Sequence, residues 1–374
     1  MRPETEADLA EIIKGAAGPL RIQGGGTRDI GKPVDGALLQ TGGLTGVTLY
    51  EPGSLTLVAR AGTPLAEVEA VLDAEGQRLP FEPMDHRGLL GRDGVPTVGG
   101  MAASNVSGPR RIQSGACRDY MLGVRFVDGA GTVLSNGGRV MKNVTGYDLV
   151  KLMAGSYGTL GVLTEVSFKV LPKPEASACV LINDLSETEA VEAMSRALGS
   201  PFDVSGVAHL PVGVDGAPVT MIRVEGFAES VRYRSGRLAA LFAGRDVTVE
   251  TDPERVAAGW RYVRDAEPFH AAPGDVWRLS VKPSDAPGLV AASGALQAIY
   301  DWGGGLVWLL MPVASDLRAR LGGFAGHATL VRGNEDTRRA LPVFQPEPGP
   351  VAAISAGLRA RFDPRGILNP GIMG

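Results

Sequence analysis

Residues 21–31 read RIQGGGTRDIG, with Gly24, Gly25 and Gly26 one residue beyond a short run from Leu20 to Ile22. A dinucleotide fingerprint of the Rossmann type needs glycines at its first, third and sixth positions and a helix that begins at the loop. Gly24 and Gly26 fit, but the sixth position is Asp29, and Gly31, Pro33 and Gly36 prevent a helix from starting there. What remains is a run of main-chain N–H groups with no side chains over them, which can curl into an anion-binding nest without a helix dipole. A glycine-rich turn without a ligand is the alternative reading.

A second cluster, TVGGMAASNVSGPRRIQSGACRDYMLG at residues 97–123, favours the nest. Its small residues (Gly99, Gly100, Ala102, Ala103, Ser104, Ser107, Gly108) permit close backbone approach, Ser104 and Asn105 offer hydrogen bonds, and Arg110, Arg111 and Arg118 carry positive charge. Two such loops can enclose one dinucleotide. A solvated surface loop needs no long run of small residues beside Val98 and Met101.

Bulk composition narrows the class. A chain of 374 residues is expected to divide into domains. Its net charge of −4 argues against a nucleic-acid or anionic-membrane surface. Cys117 and Cys179 share no metal-ligand spacing and are too few for a disulfide framework, which fits a reducing, cytoplasmic compartment. The first residues spell an acidic helix around Leu9, Ile12 and Ile13, not a secretory signal, and the apolar stretch from Leu306 to Ala314 is too short to span a bilayer.

Along the chain, residues 46–60 read as two strands around Pro52-Gly53, followed by a helix with Thr63 as N-cap and Pro64 at its first position. Residues 121–135 form a hairpin at Asp128-Gly129, Asp148 caps a short helix, and 161–171 is a strand. Pro172 to Glu175 marks a boundary. Beyond it, Ser186 and Glu189 form a capping box, and strands near 219–224, 306–311 and 328–331 alternate with helices at 228–242 and 286–300. This pattern predicts a mixed sheet with helices on one face. A proline-rich linker at 340–350 leads to a final helix.

These segments resemble the flavoproteins of the p-cresol methylhydroxylase and vanillyl-alcohol oxidase type (PCMH type) over nearly the whole chain. The resemblance rests on Gln23 to Thr27, Pro96 to Gly100, Ser104 to Gly108, Ser114 to Asp119, Thr145 to Leu149, Gly155 to Thr164 and the closing Asn369-Pro370-Gly371. It implies an α+β fold: a two-part FAD-binding domain at 1–173, a ferredoxin-like cap or substrate domain at 174–345, and a C-terminal segment, 346–374, packing on the FAD domain. The diphosphate of FAD would be held by backbone amides of the loops at 24–28 and 97–105. The implied cofactor residues are Gln23, Gly24, Gly25, Gly26, Thr27, Arg28, Pro96, Thr97, Val98, Gly99, Gly100, Ser104, Asn105, Gly108, Gly115, Ala116, Asp119 and Asn369, with Gly161 and Val162 at the adenine end.

Within the family, TRDIG, TGYDLVKLMAGSYGTLG, WRLSVKPS and GGFAGHATLVRG resemble the glycolate oxidase E-subunit branch. That likeness implies oxidation of glycolate or another small 2-hydroxy acid by hydride transfer to FAD, with a larger flavoprotein subunit and an iron–sulfur subunit as partners, and attachment at the inner membrane only through them. Arg278 would grip the carboxylate and His327 would act near the hydroxyl. Two departures matter. Some members attach FAD through a histidine in the first loop, where this chain has Thr27 and Arg28, so a noncovalent cofactor is expected. The cap lacks the histidine-rich metal motif of the family's hydroxy-acid dehydrogenases, because His86, His209, His270 and His327 lie far apart; no metal is expected. A flavin-carrying electron-transfer or scaffolding subunit is therefore the alternative function.

Overall fold

The computed structural model describes residues 1–138 and 146–374; Thr145 of the resemblance lies outside them. The described chain divides into two compact units. One comprises Met1–Ser107, Ala116–Lys173 and Pro346–Gly374, the other Gly108–Gly115 and Pro174–Gln345.

In the first unit, Thr5 and Asp8 form a capping box at the helix Glu6–Gly15. Its Leu9 and Ile13 pack in one core with Leu20, Leu39, Val162, Ile367 and Leu368. The strand Leu20–Gln23 runs parallel to Ala37–Gln40 and ends where the glycines begin. Beside this pair stands an antiparallel sheet in the order Val47–Glu51, Thr56–Arg60, Val162–Lys169, Met121–Val127, Val133–Gly137. Val162–Lys169 is central and buried on nearly every residue, as a strand flanked on both sides should be. The helix after Thr56–Arg60 differs from expectation at its start. Pro64 is the N-cap of Leu65–Ala74, while the Thr63 hydroxyl is fully buried and bonds to both the N–H and the C=O of Gly46, at 2.9 and 3.2 Å. The capping side chain is spent on a long-range contact that local sequence does not reveal.

The second unit is built on an eight-stranded sheet among the described residues, in the order Val247–Glu250, Ala176–Asn183, Val219–Gly226, Val204–Leu210, Gln297–Asp301, Leu306–Met311, Asp275–Val281, Gly326–Arg332. Every pairing is antiparallel, which corrects the expectation of a mixed sheet. Each half reads βαββαβ: the helices Glu187–Leu198 and Ala228–Leu241 serve the first, Ala286–Ser293 and Leu317–Leu321 the second. Each has the ferredoxin-like strand order 4-1-3-2, and the two join at Val204–Leu210 and Gln297–Asp301. The helix expected over 286–300 stops at Ser293, where Gly294 turns left-handed at φ 69°, and the chain re-enters as the strand Gln297–Asp301.

Gly108–Gly115 packs with this second unit, although its sequence neighbours belong to the first. Arg110 explains why. Its guanidinium grips Glu225 with bonds of 2.8 and 2.6 Å, and the Gly108 carbonyl accepts from the Trp302 indole at 3.1 Å.

Candidate functional site

The glycines of the two loops meet backbone to backbone. A Cβ on Gly25 would sit 1.5 Å from the Val95 carbonyl oxygen, and one on Gly24 would sit 2.6 Å from Thr97 Oγ1. Gly26 has φ 73°, in the left-handed region that only glycine enters without cost. No helix follows; residues 24–36 stay irregular. Among the described residues, none accepts a hydrogen bond from the main-chain N–H of Gly24, Gly25, Gly26 or Thr27. Four consecutive residues, whose main-chain donors have no acceptor among the described residues, line a cleft; Thr27 itself is buried.

The second loop does start a helix, Val98–Ala103, with Thr97 as N-cap accepting from Gly100 N–H. Its first amides are already used: Val98 donates to Thr63 O at 3.0 Å and Gly99 to Ala61 O at 2.7 Å. The helix is thereby stapled to the end of the strand Thr56–Arg60 and serves as a wall. Gly99 allows this approach, since a Cβ there would lie 2.6 Å from the Ala61 methyl.

The cleft brings together Gln23, Gly24, Gly25, Gly26, Thr27, Arg28, Thr97, Gly99, Gly100, Ser104, Gly161, Val162 and Asn369 of the expected cofactor residues. Its far end, Gly161–Leu163, opens the central strand, so one elongated ligand can run from the glycine loop to the sheet. Asn369 is a positioning residue. Buried at φ 44°, it accepts from Ile22 N–H at 2.7 Å and donates to Tyr157 O at 2.8 Å, tying the C-terminal segment to both sides of the cleft.

The other expected residues lie elsewhere. Pro96 accepts from Leu65 N–H, and Val98 is fully buried. Asn105 Oδ1 accepts from Arg118 N–H at 3.0 Å, which folds the loop on itself. Asp119 accepts from Ala116 N–H at 2.9 Å and so caps the helix Cys117–Tyr120. Gly108 and Gly115 belong to the second unit. The sequence reading missed Tyr157, Lys32, Arg92 and Ile372, all of which line the cleft. Tyr157 lies in the Gly155 to Thr164 segment that carries the resemblance, and its φ of 51° marks a forced turn.

Charge completes the fit. Arg21, Arg28, Lys32 and Arg92 line the cleft against one acidic lining residue, Asp29, which pairs with Arg92 at 2.7 Å. Burial pulls the Arg28 guanidinium down to about 10, so it stays cationic at neutral pH. Cys117, beneath it, is fully buried and burial raises its pKa, while burial pushes Cys179 up to about 12; both are neutral thiols. Amide donors and surplus cations at one end and an apolar strand start at the other suit a dianionic linker with a ring system attached.

In the second unit, Arg278 and His327 occupy neighbouring strands, Asp275–Val281 and Gly326–Arg332. Arg278 opposes Thr329 and His327 opposes Ser280, so both point to one face. The Arg278 guanidinium lies 5.1 Å from the Trp302 ring centroid, and His327 is exposed.

Comparisons with known proteins show the family of the chain. A family profile described as an FAD binding domain matches residues 1–137, a span containing both glycine loops. Glycolate oxidase subunit GlcE of Escherichia coli (strain K12) is 38% identical, with 95% of this chain and 92% of that one covered. Glycolate oxidase subunit GlcD of Bacillus subtilis (strain 168) is 27% identical over 64% of this chain, which spans about half (49%) of that relative. Among solved structures, alkyldihydroxyacetonephosphate synthase superposes with a TM-score of 0.72 at 16% identity, covering 99% of this chain and 76% of that one, a likeness of fold. The chain thus belongs to the PCMH-type FAD-binding oxidoreductase family that includes glycolate oxidase subunit GlcE.

Proposed function

We propose that this chain is the FAD-binding subunit of a glycolate oxidase-like complex and takes part in oxidising glycolate, or another small 2-hydroxy acid, to the 2-oxo acid. The observation that carries the reading is the row of unsatisfied amides at Gly24–Thr27, set among basic side chains in a chain matched to GlcE along 95% of its length. FAD supplies the two-electron acceptor for hydride leaving the carbinol carbon. The chain's own residues do the holding. The Gly24–Thr27 amides and the nearby cations take the diphosphate, and Gly161 and Val162 meet the adenine end. Thr27 and Arg28 offer no nucleophilic ring nitrogen, so the cofactor is noncovalent. Arg278 holds the substrate carboxylate, and exposed His327 takes the hydroxyl proton to solvent. A larger flavoprotein and an iron–sulfur subunit are the proposed partners. Among the described residues no helix is long and apolar enough to cross a membrane; attachment at the inner membrane through those partners is part of the proposal.

A second reading, a flavin-carrying electron-transfer or scaffolding subunit, is favoured by the scattered histidines. His86 bonds Arg28, His209 is buried in the sheet, and His270 bonds the Asp265 carbonyl. An anaerobic titration decides. Bleaching of the flavin band of the isolated chain by glycolate or D-lactate supports catalysis, and an unchanged oxidised spectrum supports the second reading. A colourless protein that FAD cannot reconstitute overturns both.

A further inference from the structure

Arg28 is unusual among the cations of the cleft in how it is held. Its Nε donates to His86 Nδ1 at 3.3 Å and its Nη2 to the Met84 carbonyl at 3.4 Å. Both partners are uncharged acceptors on a tucked-in stretch in which Met84 and His86 are buried. The nearest carboxylate, Asp85, is committed to Arg87 by bonds of 2.7, 3.0 and 3.1 Å; burial opposes its ionisation, but those bonds hold its carboxyl below the usual range. The other groups facing Arg28 are the neutral Cys117 thiol and the Tyr157 phenol. Arg28 is therefore a partly buried cation on the cleft wall, with no carboxylate bonded to it, beside Gly100 and next to the Thr27 amide that has no acceptor among the described residues. A partly desolvated charge of this kind is better stabilised when an anion meets it.

We propose that Arg28, aimed by His86, is the fixed countercharge for the diphosphate of the bound nucleotide, and that His86 makes this hold pH-dependent. The inference rests on the FAD reading and deepens it. His86 can accept at Nδ1 only when that nitrogen carries no proton, so the neutral ring with its hydrogen on Nε2 is the form that orients Arg28. Protonation removes the acceptor and sets a second positive charge against the guanidinium. His86 acts through Arg28 and is a positioning residue.

The test uses apoprotein made from the purified full chain and follows FAD binding by quenching of flavin fluorescence. Arg28→Gln should raise the Kd for FAD roughly ten- to hundred-fold at pH 8 and flatten its dependence on salt, with Arg28→Lys in between. His86→Gln, which keeps an acceptor but does not titrate, should bind like the wild type at pH 8 and lose the several-fold weakening that the wild type shows on going to pH 5.5. Melting of each apoprotein checks that the variants fold. A wild-type Kd and salt slope in Arg28→Gln, or a wild-type pH profile in His86→Gln, overturns the proposal while leaving the FAD reading intact. A wild type that binds no FAD overturns both.

Discussion

At the scale of single residues, the cleft depends on atoms that are missing. Gly25 and Gly94 interlock: a Cβ on Gly25 would fall 1.5 Å from Val95 O, and one on Gly94 would fall 1.9 Å from Gly25 O. Neither contact can be relieved by rotating a side chain, because both partners are backbone. Gly25→Ala should therefore push the loops apart, destabilise the first unit by about 1–3 kcal/mol, and lose bound flavin on gel filtration. Gly53 is the control, since a Cβ there meets nothing within 4 Å and Gly53→Ala should retain both flavin and stability. Retention of full flavin occupancy by Gly25→Ala would show that the loops need no such contact. This requirement was legible in the sequence, because consecutive glycines without a following helix have few uses other than close approach. The Arg28–His86 contact was not legible: 58 residues separate the partners, and nothing local to either announces the other.

At the scale of elements, patterns were readable where one residue type decides the backbone and unreadable where tertiary pairing does. The Ser186–Glu189 box and the Asp148 cap stand as the sequence suggests, each a side chain bonding an amide three residues on. Residues 297–300 fall within the helix expected over 286–300, since so short a segment carries no decisive period of its own, and only the neighbours Val204–Leu210 and Leu306–Met311 make Gln297–Asp301 a strand. Within this sheet, His209 is buried, with Nδ1 2.9 Å from Thr220 Oγ1 and Nε2 unpartnered among the described residues. Burial, the largest cause, lowers its pKa to about 4. The folded state thus resists a proton that the unfolded state accepts near pH 6.5, so stability is fully present above that pH and is lost as pH falls toward 4. The expected loss is about 2 kcal/mol between pH 7 and pH 5. All four tryptophans (Trp260, Trp277, Trp302, Trp308) lie in the second unit, so urea unfolding followed by indole fluorescence reads this unit alone. His209→Gln should flatten the difference between the two pH values; an unaltered difference would assign the acid sensitivity to other groups.

At the scale of the whole molecule, the chain leaves the first unit at Lys173 and returns to it at Pro346, so the cleft is closed by residues far apart in sequence. The return is anchored by charge and then by packing. Arg365 donates to the carbonyls of Ile13, Lys14 and Ala16 around the end of the first helix, where Ile13 O also accepts from the Ala16 N–H, and to Gly129 O at 3.0 Å. Ile367 and Leu368 then enter the core beside Leu20, and Asn369 reaches Ile22 and Tyr157 at the edge of the cleft. Tail, first strand and cleft wall are therefore one cooperative structure, whereas the second unit has its own sheet and its own core. Asn369→Ala removes the bonds it makes to the Ile22 N–H and the Tyr157 carbonyl, and should cost the first unit about 2–4 kcal/mol. Flavin release on heating, seen as a rise in flavin fluorescence, should then come at lower temperature, while the tryptophan-detected transition stays where it was. If both transitions fall together, the two units unfold as one; if neither moves, the tail's hold on the first strand is not what keeps the cleft closed.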